Sequence, residues 1–276
     1  MKGMHLLTAA AAMIVPAATH ATAPAPVALT RLDCGRLVAY DLDEFSDTYA
    51  YRGKQKTLTA NCYLIRHGDT YMLWDTGLPP QLRNHVLNPR QPLDATLDVS
   101  IVDQLARLGI KPAQIAIIAI SHDHFDHIGQ AGDFPQARLL MGKADIDDLR
   151  GPNAELGKLL IHWLSGGGTL DPVTGDKDIF GDGSVVMLDL PGHTAGHHGL
   201  LVKLARTGYV LLSGDIAHFA ENYASNGVPA YNASRADTLA SLDRFKTMAA
   251  NLHATVILQH EPADIAKLPA FPKAAD

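Results

Sequence analysis

The sequence predicts an α/β protein in which two β-sheets pack face to face with helices on the outer sides. Three observations carry this. Strand-like segments fall into two runs, residues 32–141 and 184–258, and helical segments follow within each. The run Ile115-Ala116-Ile117-Ile118-Ala119-Ile120 is short, β-branched and apolar throughout, as suits a strand covered on both faces. Several apolar strands also end in a His or an Asp, so each run delivers polar residues from its strand ends.

Taken in order, a Pro-containing leader at 23–26 precedes a weakly alternating strand at 32–42. Residues 57–66 and 70–74 form a hairpin across His67-Gly68-Asp69, whose composition suits a tight turn. The second arm ends in Asp75-Thr76-Gly77, where Asp75 either supports neighbouring loops through backbone donors or is a surface turn. Residues 81–97 lack a period and read as a loop that could border a pocket. Ile101, Val102, Leu105 and Leu108 make one helical stripe, stopped by Gly109. After the strand at 115–120, residues 137–141 suggest another strand and 144–150 a short helix. Residues 166–183 are rich in Gly and Asp, the composition of an exposed loop or an active-site lid. Strands at 184–190, 200–204 and 209–213 follow. A helix at 235–250 carries Leu239, Leu242, Phe245 and Met248 on one side, and a strand at 254–258 comes last.

The 276 residues, 47% hydrophobic, suffice for one large α/β domain, here taken as residues 22–276. The formal charge of −6 is spread without a basic block, which argues against nucleic acid and against anionic membranes and favours a small neutral or weakly charged substrate. Residues 1–21 have the pattern of a cleaved secretory signal: Lys2, an apolar Ala-rich run, then small residues around Ala21. The run is short and interrupted by Pro16, so a stable membrane span is not expected. The expected location is periplasmic or secreted. An oxidising compartment would let Cys34 and Cys62 pair if their strands are neighbours; otherwise they are two buried thiols. Nothing in the pattern fixes the oligomeric state, and a homodimer is one option.

The chemistry concentrates in Ser121-His122-Asp123-His124-Phe125-Asp126-His127, directly after the buried strand. On a locally extended backbone His122 and His124 point the same way, a good start for a divalent ion. Asp126 and His127, beyond the bend, can face a second ion. Three later strand ends add His193, Asp215 and His260. Five His and two Asp make the inventory two divalent ions require. His122, His124 and His193 are assigned to the first ion, and Asp126, His127 and His260 to the second. Asp215 bridges the two. Zn²⁺ leads, with Co²⁺, Mn²⁺ or Fe also compatible with the donor set. His197 and His198 are read as supporting or surface residues, and His67, His85, His162 and His253 have no partner pattern. A GxSxG elbow and Gly-rich phosphate loops are absent.

The HxHxDH cluster, the Pro191-Gly192-His193-Thr194-Ala195-Gly196-His197 turn and Ser213-Gly214-Asp215 resemble the metallo-β-lactamase superfamily. Within it, the turn, Asp215 and the late His260-Glu261-Pro262 are most similar to the N-acyl homoserine lactone lactonases. The resemblance implies an αββα sandwich of two mixed sheets. It also implies a dinuclear hydrolase that opens a lactone or related ester by attack of a metal-bridging hydroxide, with Asp215 between the ions and Asp126 as proton shuttle to the leaving alkoxide. Many of those lactonases carry a substrate-binding Tyr three residues after the bridging acid; this chain has His218, an imidazole that can also donate to a lactone oxygen. The alternatives are a secreted β-lactamase or a phosphotriesterase-type hydrolase of the same fold, the former disfavoured because such β-lactamases generally lack the bridging carboxylate. From another class, a periplasmic metal-binding protein without catalysis shares the His count.

Overall fold

The computed structural model describes residues 25–276 together with Gly3, so the predicted leader at 1–21 lies, Gly3 apart, outside the described residues. The strands are β1 (Val27–Ala39), β2 (Lys56–His67), β3 (Thr70–Trp74), β4 (Leu93–Thr96), β5 (Ile115–Ala119), β6 (Arg138–Gly142), β7 (Leu170–Val173), β8 (Lys177–Asp178), β9 (Val185–Asp189), β10 (His198–Leu204), β11 (Gly208–Leu212) and β12 (Thr255–Ile257). They build a seven-stranded sheet in the order β4-β1-β2-β3-β5-β6-β7 and a five-stranded sheet in the order β12-β11-β10-β9-β8. Both sheets are mixed. The first is antiparallel from β4 to β3 and parallel from β3 to β7, and in the second only β11 and β12 run parallel.

Alternation along the strands sorts side chains into three apolar layers. Met72, Trp74, Ile117 and Ala119 of the first sheet meet Val185, Met187, Val210 and Leu212 of the second, forming the layer between them. Leu73 and Ile118 point the other way, into a cluster that includes Ile101 and Leu105 of the helix Ile101–Arg107. Leu188 and Leu211 face outward under Leu242 and Phe245 of the helix Arg235–Leu252. Each such fully buried side chain contributes roughly 1.5–3 kcal/mol relative to exposure. The result is the expected helix, sheet, sheet, helix order. No helix among the described residues is long and apolar enough to cross a membrane.

The hairpin, the buried strand and the helix near 101 form where the pattern places them, and Ser100 with Asp103 adds a capping box to that helix. Two segments differ from the sequence reading. Residues 81–97 are not wholly loop: Leu93–Thr96 pairs with Arg36–Ala39 and closes one edge of the first sheet. Residues 166–183 are neither a plain loop nor a lid, because Leu170–Val173 edges the first sheet and Lys177–Asp178 edges the second. Buried Val173 and Ile179 anchor this crossing, and Asp178 accepts the N–H groups of Gly181 (2.9 Å) and Gly183 (2.7 Å). Short strands with so few apolar residues leave little periodic signal. The helix at 235–252 also rotates slightly from expectation, burying Thr238 and Ala249 with Leu242 and Phe245 while Leu239 stays half-buried.

Cys34 and Cys62 are bonded, with Cα atoms 5.8 Å apart. Antiparallel β1 and β2 are adjacent, and their register shifts between Asp33 and Arg36, beside Cys34.

Candidate metal centre

Every predicted ligand lies at one end of the sandwich. β5 ends in Ser121-His122, and a short helix at Phe125–Ile128 holds Asp126 and His127 in its first turn. β9 leads to His193, β11 to Asp215 and β12 to His260. The His193 turn needs a glycine: Gly192 has φ 138° and a Cβ there would come 2.2 Å from the Thr238 backbone nitrogen. The close approach lets Ser241 of the long helix donate to the Pro191 carbonyl at 2.7 Å, pinning the turn. All seven predicted ligands are buried except His124, which is half-buried.

Their donor atoms converge. His122 Nε2 and His193 Nε2 each lie 3.0 Å from His124 Nδ1. The far nitrogens of the first two are engaged, His122 Nδ1 with Ser121 Oγ (3.0 Å) and His193 Nδ1 with Asn232 Oδ1 (2.9 Å). Asn232 Oδ1 can only accept, so His193 carries its proton on Nδ1 and turns a bare lone pair inward. Asp126, His127 and His260 form a second group, and Asp215 joins the first. Asp215 Oδ2 stands between them, 3.7 Å from His122 Nε2, 3.5 Å from both His127 Nε2 and His193 Nε2, and 3.2 Å from His260 Nε2. His127 Nε2 is buried without a hydrogen-bond partner. An orphaned imidazole nitrogen facing shared carboxylates fits cation binding, and the mixed N and O donor set suits a borderline divalent ion.

The residues behind these ligands set their protons. Asp75, fully buried and not a surface turn, accepts from the Ser121 backbone N–H (2.7 Å), the Ser121 hydroxyl (3.0 Å) and His127 Nδ1 (2.9 Å). Since the Ser121 proton goes to Asp75, Ser121 Oγ accepts from His122 Nδ1. Both rings are thereby Nδ1–H tautomers with Nε2 free. His260 donates Nδ1–H to the Thr59 carbonyl at 2.7 Å. His197, also fully buried, donates Nδ1–H to the Leu190 carbonyl (2.8 Å) and accepts the backbone N–H of Asp215 at Nε2 (2.8 Å), so it holds Asp215 from behind. His198 is buried against the Gly196 carbonyl. His67 and His85 bond Asp182 and Asp94, and His162 bonds the Pro135 carbonyl, all apart from the cluster.

Electrostatics divide the two groups. Although burial opposes it, Asp215 and the neighbouring carboxylates raise His127 and His260 above the usual histidine range, positive charge that a bound cation would replace. Burial, reinforced by neighbouring imidazoles, holds His122 and His193 well below the usual histidine range, and burial takes His197 down to about 3. These rings stay neutral, which is the ligand form. Burial opposes the charge on Asp215, but His260, His218 and His127 outweigh it and hold the carboxyl well below its ordinary value.

His218 is no surface residue. It is 2% exposed, its Nε2 lies 3.2 Å from Asp215 Oδ2, and its ring stacks on His260 with centroids 5.5 Å apart. Tyr231 was not anticipated: it precedes the long helix in a segment without periodicity, yet its hydroxyl reaches His218 Nε2 at 3.1 Å. Asp145, likewise unforeseen, accepts from Thr194 Oγ1 (2.8 Å) and the Gly196 N–H (2.7 Å), tying the helix Lys143–Arg150 to the His193 turn.

Three cavities reach or approach the cluster. One of about 260 Å³ is walled by Leu37, Phe45, Leu58, Leu93 and Phe125 and floored by Asp126, Asp215 and His260. A second, about 530 Å³ and largely apolar, shares Leu93 and Phe125 with it. A third, about 480 Å³, lies beyond His124 and Tyr231 and is lined by Asp123, Asp145, Asp147 and Asp148.

Comparison with known proteins gives a consistent result. The family model of the metallo-beta-lactamase superfamily matches residues 56–260. The N-acyl homoserine lactonase AttM of Rhizobium johnstonii is 30% identical over 219 residues, covering 73% of this chain and 81% of the relative. An N-acyl homoserine lactonase of Bacillus thuringiensis is 27% identical over 216 residues, with 76% and 84% covered. Among solved structures, an N-acyl homoserine lactone hydrolase with N-hexanoyl-L-homoserine bound at its catalytic metal center superposes with a TM-score of 0.76 at 23% identity, covering 91% of this chain and 100% of that one. The dizinc quorum-quenching lactonase AidC gives 0.66 at 16% identity, with 91% and 90% covered.

Proposed function

This chain belongs to the metallo-beta-lactamase superfamily, and on that basis we propose that it is a metal-dependent hydrolase that opens the lactone ring of N-acyl homoserine lactones. The observation that carries the proposal is the convergence of two donor groups around Asp215, whose Oδ2 lies 3.5 Å from His193 Nε2 and 3.2 Å from His260 Nε2, at the floor of an apolar cavity. His122, His124 and His193 would hold one ion, Asp126, His127 and His260 a second, and Asp215 would serve both. Two such ions, Zn²⁺ foremost, would supply Lewis-acid polarisation of the ester carbonyl and ionise water near neutral pH.

The chain's own residues do the rest. Leu37, Phe45, Leu58 and Leu93 exclude bulk water from the floor, which strengthens every polar interaction there. The adjoining cavity, continuous in lining through Leu93 and Phe125 and largely apolar, has the character for an acyl chain. Asp126 lines the same cavity with its Oδ2 3.7 Å from His260 Nε2, where it can pass a proton to the oxygen that leaves when the ring opens. Asp75 and His197 keep the ligands in the required tautomers and positions.

The test is to measure metal per chain and to offer the purified protein an acyl homoserine lactone, a cephalosporin and an aryl phosphotriester. Ring opening that disappears on chelation is expected; cleavage of the cephalosporin alone would end the lactonase reading, and metal binding without turnover of any of them would favour a metal-binding protein. We also propose that the mature chain is a single exported domain beginning near Thr22, a reading supported by the residue pattern of 1–21 and by the Cys34–Cys62 bond. Intact-mass measurement of the exported protein tests it, and retention of Lys2 in that fraction would contradict it.

A further inference from the structure

The cavity of about 260 Å³ above the donor groups has one polar wall residue without a partner. His124, Asp126, Asp215 and His260 are predicted ligands, and His218 and Tyr231 meet at 3.1 Å. Glu44 stands apart. It shares the wall with Leu37, Phe45, Leu58 and Leu93 and is half-buried there, yet among the described residues no donor reaches its carboxylate. Burial, with Asp41 adding to it, pushes the Glu44 carboxyl above the ordinary range, as expected of an acid that has lost water and gained no hydrogen bond.

The turn that carries Glu44, Leu42–Phe45, is pinned along its length. Asp41 accepts the Asp43 N–H (3.1 Å) and the Lys54 carbonyl accepts the Leu42 N–H (3.0 Å). The Glu44 carbonyl accepts from the Ala230 N–H (3.2 Å), and the Phe45 carbonyl from Asn222 Nδ2 (3.1 Å). The acid is therefore set in place before anything enters. Its charge also reaches the floor: after burial, the carboxylates of Asp215, Asp126 and Glu44 are what push the Tyr231 hydroxyl well above the usual phenol range.

A partnerless carboxylate on an apolar wall is costly unless a ligand brings the missing donor, and binding pockets use such isolated polar groups to orient what they hold. With a lactone ring at the floor and its chain in the adjoining cavity, the atoms joining the two pass this wall. In an N-acyl homoserine lactone those atoms are a secondary amide, which carries one N–H. We propose that Glu44 accepts that amide N–H, and that it makes the site selective for lactones acylated through nitrogen over lactones whose chain leaves the same ring carbon through a methylene. The choice of an amide rests on the hydrolase reading above. Glu44 takes no proton and stays away from the reacting ester. Its selectivity follows because a site built to accept an N–H rejects the analogue without one more strongly than apolar contact can.

The test offers the parent, Glu44→Leu and Glu44→Gln both N-hexanoyl-L-homoserine lactone and α-hexyl-γ-butyrolactone, recording kcat, KM, metal per chain and melting temperature. Glu44→Leu should lose about 30-fold in kcat/KM on the first and stay within about threefold on the second, at unchanged metal content. Glu44→Gln, whose side-chain carbonyl still accepts, should keep most of the parent's preference. A preference in Glu44→Leu within about threefold of the parent's overturns the assignment. So does an equal loss on both lactones, because the residue would then serve the fold or the metal centre instead of the amide. Calorimetric titration with N-cyclopentylhexanamide, and with the ketone in which a methylene replaces its N–H, reads the same contact without turnover. The parent should favour the amide by about 10-fold or more and Glu44→Leu should not; a parent that binds both equally overturns the assignment. A parent that carries metal and tells amide from ketone but leaves both lactones intact sinks the hydrolase reading and leaves the amide contact standing; a competent parent beside an indifferent Glu44→Leu sinks the contact alone.

Discussion

Asp75 fixes the proton on His122 without touching it. Its carboxylate takes the Ser121 hydroxyl proton at 3.0 Å, and the Ser121 oxygen is then free to accept from His122 Nδ1, also at 3.0 Å. The same carboxylate holds His127 Nδ1 directly at 2.9 Å. One buried acid therefore orients a ligand in each donor group.

Asp75→Asn should weaken both groups, by about 10–100-fold in metal affinity. Ser121→Ala should weaken chiefly the group that contains His122. Competition with a graded chelator, followed as stepwise release of Co²⁺, separates the two cases. Equal weakening of both steps in Ser121→Ala would contradict the relay.

Asp215→Ala removes the carboxylate that would serve both ions. Metal content should fall from about two ions per chain to about one, with loss of hydrolysis. Elemental analysis of the purified variant checks this, and an unchanged count with unchanged turnover would remove Asp215 from the bridging role.

Replacing Cys34 and Cys62 together by Ser frees a loop with a sequence separation of 28 in the unfolded chain. On loop-closure grounds the folded state should lose about 3–4 kcal/mol, read from chemical denaturation of oxidised parent and double variant. Coincident denaturation midpoints would mean that the β1–β2 pairing already constrains the unfolded chain.

Burial pushes the Asp145 carboxyl up to about 7, against about 3.9 for an unfolded Asp. Between those values the folded chain holds a proton there that the unfolded chain has released. Its contribution to stability is therefore complete below about pH 4 and is lost as pH rises through about 7. Asp145→Asn lacks this titration, so its melting temperature should gain on the parent between pH 4.5 and 7.5. Parallel melting curves across that window would refute the shift.

Much of the molecule was legible in its residues, and the exceptions have physical causes. The apolar run at 115–120 and the hairpin at 57–74 announce themselves through composition and period, and the seven candidate donors, which follow the ends of apolar strands, converge at one end of the sandwich. Leu170–Val173 and Lys177–Asp178 went unseen because strands of four and two residues, one containing Pro172, carry no alternation to read. Tyr231, Asn232 and Asp145 were missed for a different reason. Their roles exist only through partners 13, 39 and 49 residues away, and no local pattern encodes those contacts. Conversely, His218 was noticed as a departure, but only its neighbours reveal that its Nε2 faces Asp215 and Tyr231 while its Nδ1 is buried without a partner.

Four of the five apolar walls of the cavity, Leu37, Phe45, Leu58 and Leu93, come from the first hundred residues, whereas the seven candidate donors lie between His122 and His260. The same N-terminal stretch also supplies Asp75 and the Thr59 carbonyl, which hold His127 and His260. Recutting the entrance for another guest is therefore a matter of single side chains at Leu37, Phe45, Leu58 and Leu93, because exchanging the whole stretch would loosen the donors it holds.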